Sequence, residues 1–521
     1  MTPPINPSQQ QALKEIRANP NKTILLRGIT GSGKTNIYLH LMLEQLKAGN
    51  SAVLLVPEIA LSAQLISEVQ KHIPEATLIH SKLTPACRRK IFTAVLGNPN
   101  PQVIVGARSA LFAPVQKLGL VIIDECHDNS YHQDQNPKYS ALRLASHISP
   151  RTLLGSATPN IHDFFLADRK NAVVELTEKA RSAATTPTLT FVNLTDQTNL
   201  RTHRFLSDPL LAAIRENLAR EEQTLIFHNR RGSASITLCH KCGWQALCPA
   251  CFLPLTLHLD KKALLCHTCG LRQPILTACP DCKSPNIIHK GIGTKMIELE
   301  LAKIFPEARI ARFDSDSAPS EAMPAQYERV KSGGIDIIIG TQSIAKGFDF
   351  PHLTLVGVVQ ADSGLMLPDF SAEERAFQLI SQVVGRVGRN EKLSRIFIQS
   401  YQPDHPIVRF GARADFPAAY QPLLEHRRLS HFPPFCFLLK ITIVQKTEAT
   451  AVKKARLLRA ALLEKHPAVL VSQPTPAFYE RSNNTYRWQI IVKSSKRTDL
   501  LAIIRELPPE IRFEIDPPSL L

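Results

Sequence analysis

Four groups of residues in this chain have the types and spacing to do chemistry. The first is Gly28-Ile29-Thr30-Gly31-Ser32-Gly33-Lys34-Thr35. It fits G-x-x-x-x-G-K-[ST], whose glycines permit positive φ and close backbone approach, so that successive N–H groups cradle phosphates. Lys34 then reaches the β- and γ-phosphates, and the Thr35 hydroxyl takes Mg²⁺. The second group is Asp124-Glu125-Cys126-His127, about 90 residues further on. A carboxylate at a strand end, Asp124, suits Mg²⁺, and Glu125 beside it can position or deprotonate an attacking water. His127 can couple this strand to Gly155-Ser156-Ala157-Thr158. The third group is Gln382-x-x-Gly385-Arg386-x-x-Arg389. Arginines of this kind can reach a γ-phosphate and stabilise its transition state; taken alone, the pair reads as well as solvated surface.

The fourth group is eight cysteines in four C-x-x-C pairs: Cys239, Cys242, Cys248, Cys251, Cys266, Cys269, Cys279 and Cys282. A knuckle offers two thiolates on one face of a tight turn, and two knuckles complete a closed tetrahedral site, so four make two structural Zn²⁺ sites. We adopt a nested pairing. Cys239, Cys242, Cys279 and Cys282 take one ion, and Cys248, Cys251, Cys266 and Cys269 the other, with LTLHLDKKALL as a hairpin between the inner knuckles. Sequential pairing is the alternative. All-cysteine sites leave no position for water, so the zinc is not expected to be catalytic. Cys87, Cys126 and Cys436 are isolated and read as packing residues.

The elements around these groups alternate. TILLRG (23–28), AVLLVPE (52–58), QVIVGAR (102–108), LGLVIIDE (118–125) and RTLLGSAT (151–158) are apolar runs separated by helical patterns. Such runs suit strands buried on both faces of a parallel, doubly wound α/β sheet. The phosphate motif follows the first strand and opens a helix, and the Asp-Glu pair ends another strand. A second series runs through QTLIFHNRRG (223–232), RIARFDSD (309–316), IDIIIGTQ (335–342), LTLVGVVQAD (353–362) and RIFIQSY (395–401). The tail reads as strand-helix-strand-strand-helix-strand, a small α+β domain of split βαβ type. The expected domains are a first core at 1–180, a linker at 181–205, a second core at 206–238 and 285–412, a zinc insertion at 239–284, and the C-terminal domain at 413–521.

The 521 residues are 44% hydrophobic and 21% charged, which excludes a disordered or collagen-like chain. No run approaches a membrane span, and the start lacks a secretory layout, so a soluble cytoplasmic protein is expected. The formal net charge of +17 points to a polyanionic partner. Two ionised Cys₄ zinc sites would each carry −2, lowering the formal +17 to +13. Residues 421–521 hold 16 basic and 9 acidic side chains, a larger surplus than the zinc segment keeps once its thiolates are counted.

GITGSGKT, LVPEIALSAQL (55–65), VGARSALF (105–112), DECH, LGSAT, IIIGTQSIAKGFDFP (337–351) and QVVGRVGR (382–389) occur in the order of the helicase motifs. The chain thus resembles superfamily 2 helicases of the DExH type. The eight-cysteine insertion, the aromatic loop YHQDQNPKY (131–139) and the ending YRWQI…EIDP narrow the resemblance to the PriA family of replication-restart helicases, over about residues 5–518.

The resemblance implies two RecA-like cores closing on Mg·ATP and an ATP-driven 3′→5′ DNA helicase that remodels stalled forks and promotes primosome assembly. Gln9 would read adenine, and Gly28 to Thr35 would bind ATP. Asp124 and Glu125 would serve Mg²⁺ and hydrolysis, with Arg386 and Arg389 as finger candidates. Tyr131, His132 and Tyr139 would sense single-stranded DNA and couple it to the ATPase; base stacking on such rings is sequence-tolerant. Implied partners are forked and single-stranded DNA, single-strand-binding protein and other primosome proteins. Arg427, Arg428, Arg481 and Arg487 are candidates for docking the single-strand-binding protein's tail. A monomer with no membrane contact is expected. Family members begin with a DNA-binding region of roughly 150–200 residues. Only about five residues precede the helicase core here, so the resemblance leaves recognition of a nascent 3′ end open. A translocase without strand separation and a non-enzymatic primosome scaffold are the rival readings.

Overall fold

The computed structural model describes residues 3–57, 63–80, 83–180, 186–229, 237–288, 292–314, 323–342, 344, 350–388, 392–482 and 484–521. The chain divides into two compact units. The first is built on residues up to Thr185. Its sheet holds β1 (Thr23–Gly28), β2 (Ser51–Leu55), β3 (Thr77–Ile79), β4 (Val103–Gly106), β5 (Leu118–Ile123), β6 (Thr152–Ser156) and β7 (Val173–Leu176). The order is β3-β4-β2-β5-β6-β1-β7, and every pairing is parallel. Helices α1 (Pro7–Ala18), α2 (Lys34–Lys47), α3 (Ala63–His72), α4 (Pro85–Gly97), α5 (Ala141–Ile148) and α6 (Ile161–Asp168) link and flank the strands.

The apolar runs become strands because both faces of the sheet are covered. Ile24, Leu26, Leu54 and Ile122 pack on one face with α1 and α2, while Leu25, Val53, Leu55, Val121 and Ile123 pack on the other with α5. A buried side chain of this size contributes about 1.5–3 kcal/mol. The same alternation places Gly28, Asp124 and Ser156 at the C-terminal ends of three neighbouring strands, where such sheets bind ligands.

The second unit has its own parallel sheet. It contains β8 (Thr188–Asn193), β9 (Gln223–Phe227) and, beyond an insertion with strands β10 (Leu238–Cys239), β11 (Thr256–His258), β12 (Ala263–Leu265), β13 (Arg272–Pro274) and β14 (Ile287–Ile288), also β15 (Ile310–Phe313), β16 (Ile337–Gly340), β17 (Leu353–Val358) and β18 (Arg395–Ser400). The order is β15-β16-β9-β17-β18-β8. Helices α7 (Asp208–Ala219), α8 (Thr294–Ile304), α9 (Met323–Lys331), α10 (Ala372–Val384), α11 (Pro406–Arg413) and α12 (Phe416–Leu429) accompany it.

Two expectations need correction here. Residues 188–193, read as part of the 181–205 linker, are the edge strand β8, paired along its length with β18. An edge strand buries little: of Thr188 to Asn193 only Val192 is buried, so threonines fill it and its composition resembles a loop. The expected boundary at 413 also cuts a packed layer. α12 lies against α10 and α11, with Phe416 on Phe377 and Arg427 on Glu374.

The insertion and the C-terminal part share one core. β10 pairs with β14, so the chain leaves and re-enters at neighbouring positions. β11, β12 and β13 form an antiparallel meander. The C-terminal sheet adds β19 (Phe437–Gln445), β20 (Leu470–Val471), β21 (Thr475–Ser482), β22 (Thr485–Ser494) and β23 (Arg512–Ile515), with helices α13 (Glu448–Lys465) and α14 (Arg497–Glu506). β22 is central, flanked by β19, β20 and β21. β21 goes beyond the expected series; its pairing with β22 is irregular between Pro476 and Arg481, which hides a strand signal.

Candidate nucleotide site and metal centres

The phosphate motif sits where β1 turns into α2. Gly31 and Gly33 have φ of 81° and 77°, left-handed values that a side chain disfavours. At Gly33 a Cβ would also overlap the Gln9 amide. Gly33 is the N-cap of α2 and offers no side-chain cap, so the first helical N–H groups are open to an anion. The Ser32 hydroxyl is buried and has no hydrogen-bond partner among the described residues. Lys34 Nζ donates to the Gly28 carbonyl at 2.9 Å, which holds it over the turn. These features fit a polyphosphate. Gln9 is 2% exposed and braces the turn: its amide nitrogen donates to Ser32 O at 3.0 Å, and its oxygen accepts from Asn6 N in the capping box of α1. Ile29 N bonds Leu176 O at 3.1 Å, tying the turn to β7.

Asp124 follows β5 directly, and its N–H bonds Leu55 O at 2.9 Å. Its carboxylate accepts from the Tyr38 hydroxyl at 2.8 Å. Burial and the neighbouring Glu125 push the Asp124 carboxyl up to about 6, opposed by Lys34 and by the Tyr38 bond. A divalent cation there would remove that penalty, and the carboxylate with Thr35 is a hard oxygen set of the kind Mg²⁺ takes. Glu125 has φ of 46°, a strained value for a non-glycine residue at a site of this kind. His127 Nδ1 lies 2.7 Å from Ser156 Oγ and 3.4 Å from Glu125 Oε2, so the Asp-Glu strand and the Gly-Ser-Ala-Thr segment are joined side chain to side chain.

The aromatic loop departs from expectation at Tyr131. Its ring is fully buried, and its hydroxyl donates to Asp124 O at 2.5 Å and Leu55 O at 3.1 Å. It cannot stack on a strand; it is a strut beneath the Asp124 backbone. His132 and Tyr139 lie further out. Arg108 donates to the carbonyls of Ser130 and His132 and sits 5.8 Å over the Tyr139 ring, which Phe112 meets edge-on at 5.5 Å. Sequence reasoning did not single out Arg108, although it lies in the quoted VGARSALF motif. Tyr38 was also missed, because a tyrosine on an apolar helix face reads as core.

Arg386 closes the segment after α10, in the second unit, and Arg389 lies outside the described residues. Arg427 needs correction as a docking candidate. It is 5% exposed, ion-paired with buried Glu374, bonded to Pro433 O at 2.9 Å and stacked 5.1 Å over Phe370. Of the other three, Arg428 pairs with Glu425 at 3.6 Å and lies 5.1 Å over Phe435, and Arg481 lies 4.8 Å over the Tyr486 ring.

The cysteines gather as Cys239, Cys242, Cys279 and Cys282, and as Cys248, Cys251, Cys266 and Cys269, with the ligand atoms of each set within 4.8 Å of one another. This is the nested arrangement. Sγ–Sγ distances of 3.6 Å for Cys239–Cys282, Cys242–Cys279 and Cys248–Cys269 match the edge of about 3.8 Å that a Zn–S length of about 2.3 Å demands of a tetrahedron. The four knuckles repeat one turn. The fifth residue donates its N–H to the first cysteine's carbonyl in each, and that residue (Gly243, Phe252, Gly270 or Lys283) has positive φ. The two sets therefore fit structural zinc.

Sequence comparison agrees with this geometry. The model of DEAD/DEAH box helicases matches residues 6–164, that of the helicase conserved C-terminal domain 283–391, that of the PriA DNA helicase Cys-rich region 248–274, and that of the primosomal protein N C-terminal domain 428–518. The replication restart protein PriA of Rickettsia conorii is 34% identical over 534 residues, covering 99% of this chain and 81% of its own. The chain belongs to the PriA family. PriA of Bacillus subtilis is 35% identical over 535 residues, covering 98% of this chain, and PriA of Chlamydia pneumoniae is 35% identical over the same length. The chain spans 65% of the B. subtilis PriA and 71% of the C. pneumoniae PriA. The two family-specific matches fall on the two parts that distinguish PriA here, the cysteine insertion and the C-terminal sheet. Among the described residues no helix is long and apolar enough to cross a membrane.

Proposed function

We propose that this chain is an ATP-driven DNA helicase of 3′→5′ polarity that remodels stalled or abandoned forks and promotes primosome assembly. The observation that carries the reading is the convergence of Lys34, Asp124 and Glu125 at the strand ends of the first unit, with Asp124 tied to α2 by Tyr38. The open N–H groups at the start of α2 and Lys34 bind and orient the β- and γ-phosphates. Thr35 and Asp124 would hold Mg²⁺, which would supply charge neutralisation at the phosphates. Glu125 positions water and takes its proton. Arg386 and Arg389 are assigned to the γ-phosphate, and Gln9 to adenine, by family resemblance. His127 and Ser156 pass the state of the nucleotide site to the Gly-Ser-Ala-Thr segment, and Arg108, His132 and Tyr139 present the aromatic loop to single-stranded DNA. The zinc centres are structural.

Forked and single-stranded DNA, single-strand-binding protein and other primosome proteins are the proposed partners, and the cytoplasm the proposed compartment. The polarity rests on the family alone. The test is ATP hydrolysis and strand separation on forks with and without a nascent 3′ end, using Lys34→Ala as control. DNA-stimulated hydrolysis with unwinding of a 3′-tailed duplex is expected. Hydrolysis without strand separation would leave a translocase, and no hydrolysis would leave a scaffold.

A further inference from the structure

Tyr38 is a fully buried tyrosine whose hydroxyl is placed among three motifs. It lies on α2 four residues after Lys34, so the two side chains emerge from the same helix face one turn apart. The ring is 1% exposed and packs in the core with Ile37, Leu54 and Ile122. A phenylalanine would fill that space without a polar atom to satisfy. The hydroxyl instead reaches the Asp124 carboxylate at 2.8 Å. It also abuts β6 at Gly155: a Cβ there would overlap the Tyr38 hydroxyl, so the glycine makes room for it. Gly155 is in turn held to the Asp-Glu strand, because its carbonyl accepts from Cys126 N at 3.0 Å. The phosphate helix, the metal carboxylate and the Gly-Ser-Ala-Thr strand thus meet at one oxygen atom.

We propose that Tyr38 is a positioning residue for the Mg²⁺ carboxylate. Its hydroxyl holds one oxygen of Asp124, so the carboxylate meets the cation in a single orientation set by the helix that carries Lys34 and Thr35. Gly155 sets where that hydroxyl can stand, so a shift of β6 against β5 would be felt at Asp124. The inference rests on the reading of the first unit as an ATP site, and it concerns residues of the chain rather than the cation itself.

The test uses the full chain and its Tyr38→Phe variant. Binding of a fluorescent ADP analogue is measured in EDTA and across a Mg²⁺ titration, alongside DNA-stimulated hydrolysis against free Mg²⁺. Affinity in EDTA is expected to hold within about twofold. The Mg²⁺ concentration for half-maximal tightening is expected to rise about tenfold, the worth of a hydrogen bond to a charged group. Hydrolysis should recover at high Mg²⁺. Gly155→Ala, which displaces the hydroxyl from the other side, is expected to raise the Mg²⁺ requirement in the same direction. An unchanged Mg²⁺ dependence in Tyr38→Phe would overturn the proposal. So would an equal loss of binding with and without Mg²⁺, which marks a merely structural role. If Tyr38→Phe does not fold, Gly155→Ala decides by the same criterion. If the parent chain binds no nucleotide in either condition, the ATP-site reading itself has failed, and the proposal falls with it.

Discussion

Replacing Cys266 and Cys269 by serine removes two thiolates from the inner zinc set. The structure says what should fail next. His267, between those cysteines, is clamped by the C-terminal sheet: its carbonyl accepts from Thr475 Oγ1 at 2.8 Å and from Gln489 Nε2 at 3.0 Å, and its Nδ1 meets Pro476 O at 2.9 Å. At about 1 kcal/mol net for each bond, about 3 kcal/mol of the sheet's local stability depends on the inner knuckle. Cys248, Cys251 and Cys266 also share a buried cluster with Phe432, Leu438, Ile491 and Leu520, so this figure is a lower bound. Lys261 adds ion pairs to Glu480 at 2.9 Å and Glu448 at 3.3 Å. About 3 kcal/mol corresponds to about a hundredfold in an opening equilibrium. Hydrogen exchange of β22 amides, followed by mass spectrometry, is the assay; the expected result is a loss of protection of about two orders of magnitude. The control is Cys279→Ser with Cys282→Ser in the outer set. That site leans on the segment just after β18, where Gln402 Nε2 donates to Gly243 O at 2.5 Å. β22 protection in the control is expected to change less than about threefold. Equal effects from the two variants, or intact β22 protection in the inner variant, would refute the reasoning.

Lys34→Ala should lower ATP turnover by about two to three orders of magnitude, as loss of a transition-state donor does. Its melting temperature should stay within about 1 °C of the parent, because among the described residues the lysine's ammonium group bonds only the Gly28 carbonyl. Glu374→Ala strands the Arg427 charge in a site where both side chains are 6% exposed, and should cost about 3–5 kcal/mol in denaturant melts. Converting both partners to methionine should recover most of that loss. Tyr131→Phe removes the hydroxyl bonds to Asp124 O and Leu55 O and should cost about 1–3 kcal/mol, while its affinity for single-stranded DNA, read by fluorescence anisotropy, stays unchanged. Metal analysis of the purified chain should find two zinc ions, falling to one in either double-serine variant.

Local patterns made much of this legible. A phosphate turn is contiguous in sequence because consecutive N–H groups must face one ligand, so Gly28 to Thr35 could be read directly. Zinc knuckles are local turns as well, and the chain's return beside its point of departure, β10 against β14, is what makes nesting the compact solution. Buried parallel strands announce themselves as unbroken apolar runs. What went astray did so for equally physical reasons. β8 buries one side chain in six and so lacks that signal. Tyr131 and Arg427 were read from side-chain type, and type does not report burial. A tyrosine suited to stacking and an arginine suited to anion binding are both amphipathic, and both can be drawn inside when the tertiary fold supplies a carbonyl or a carboxylate.

The linear order of residues already displayed the chemical groups: a glycine-rich turn ending in Lys34 and Thr35, the Asp124-Glu125 pair, and eight thiols in a spacing that closes two sites. Tertiary structure alone decided which side chains serve those groups from a distance. Tyr38 reaches Asp124 across 86 positions, and His267 reaches Pro476 across 209. Such pairs leave no local periodicity, because the bond depends on how strands and helices stack and not on the order in which they are joined. The Asp124 carboxylate and the inner cysteine knuckle are each held by contacts that no short motif records.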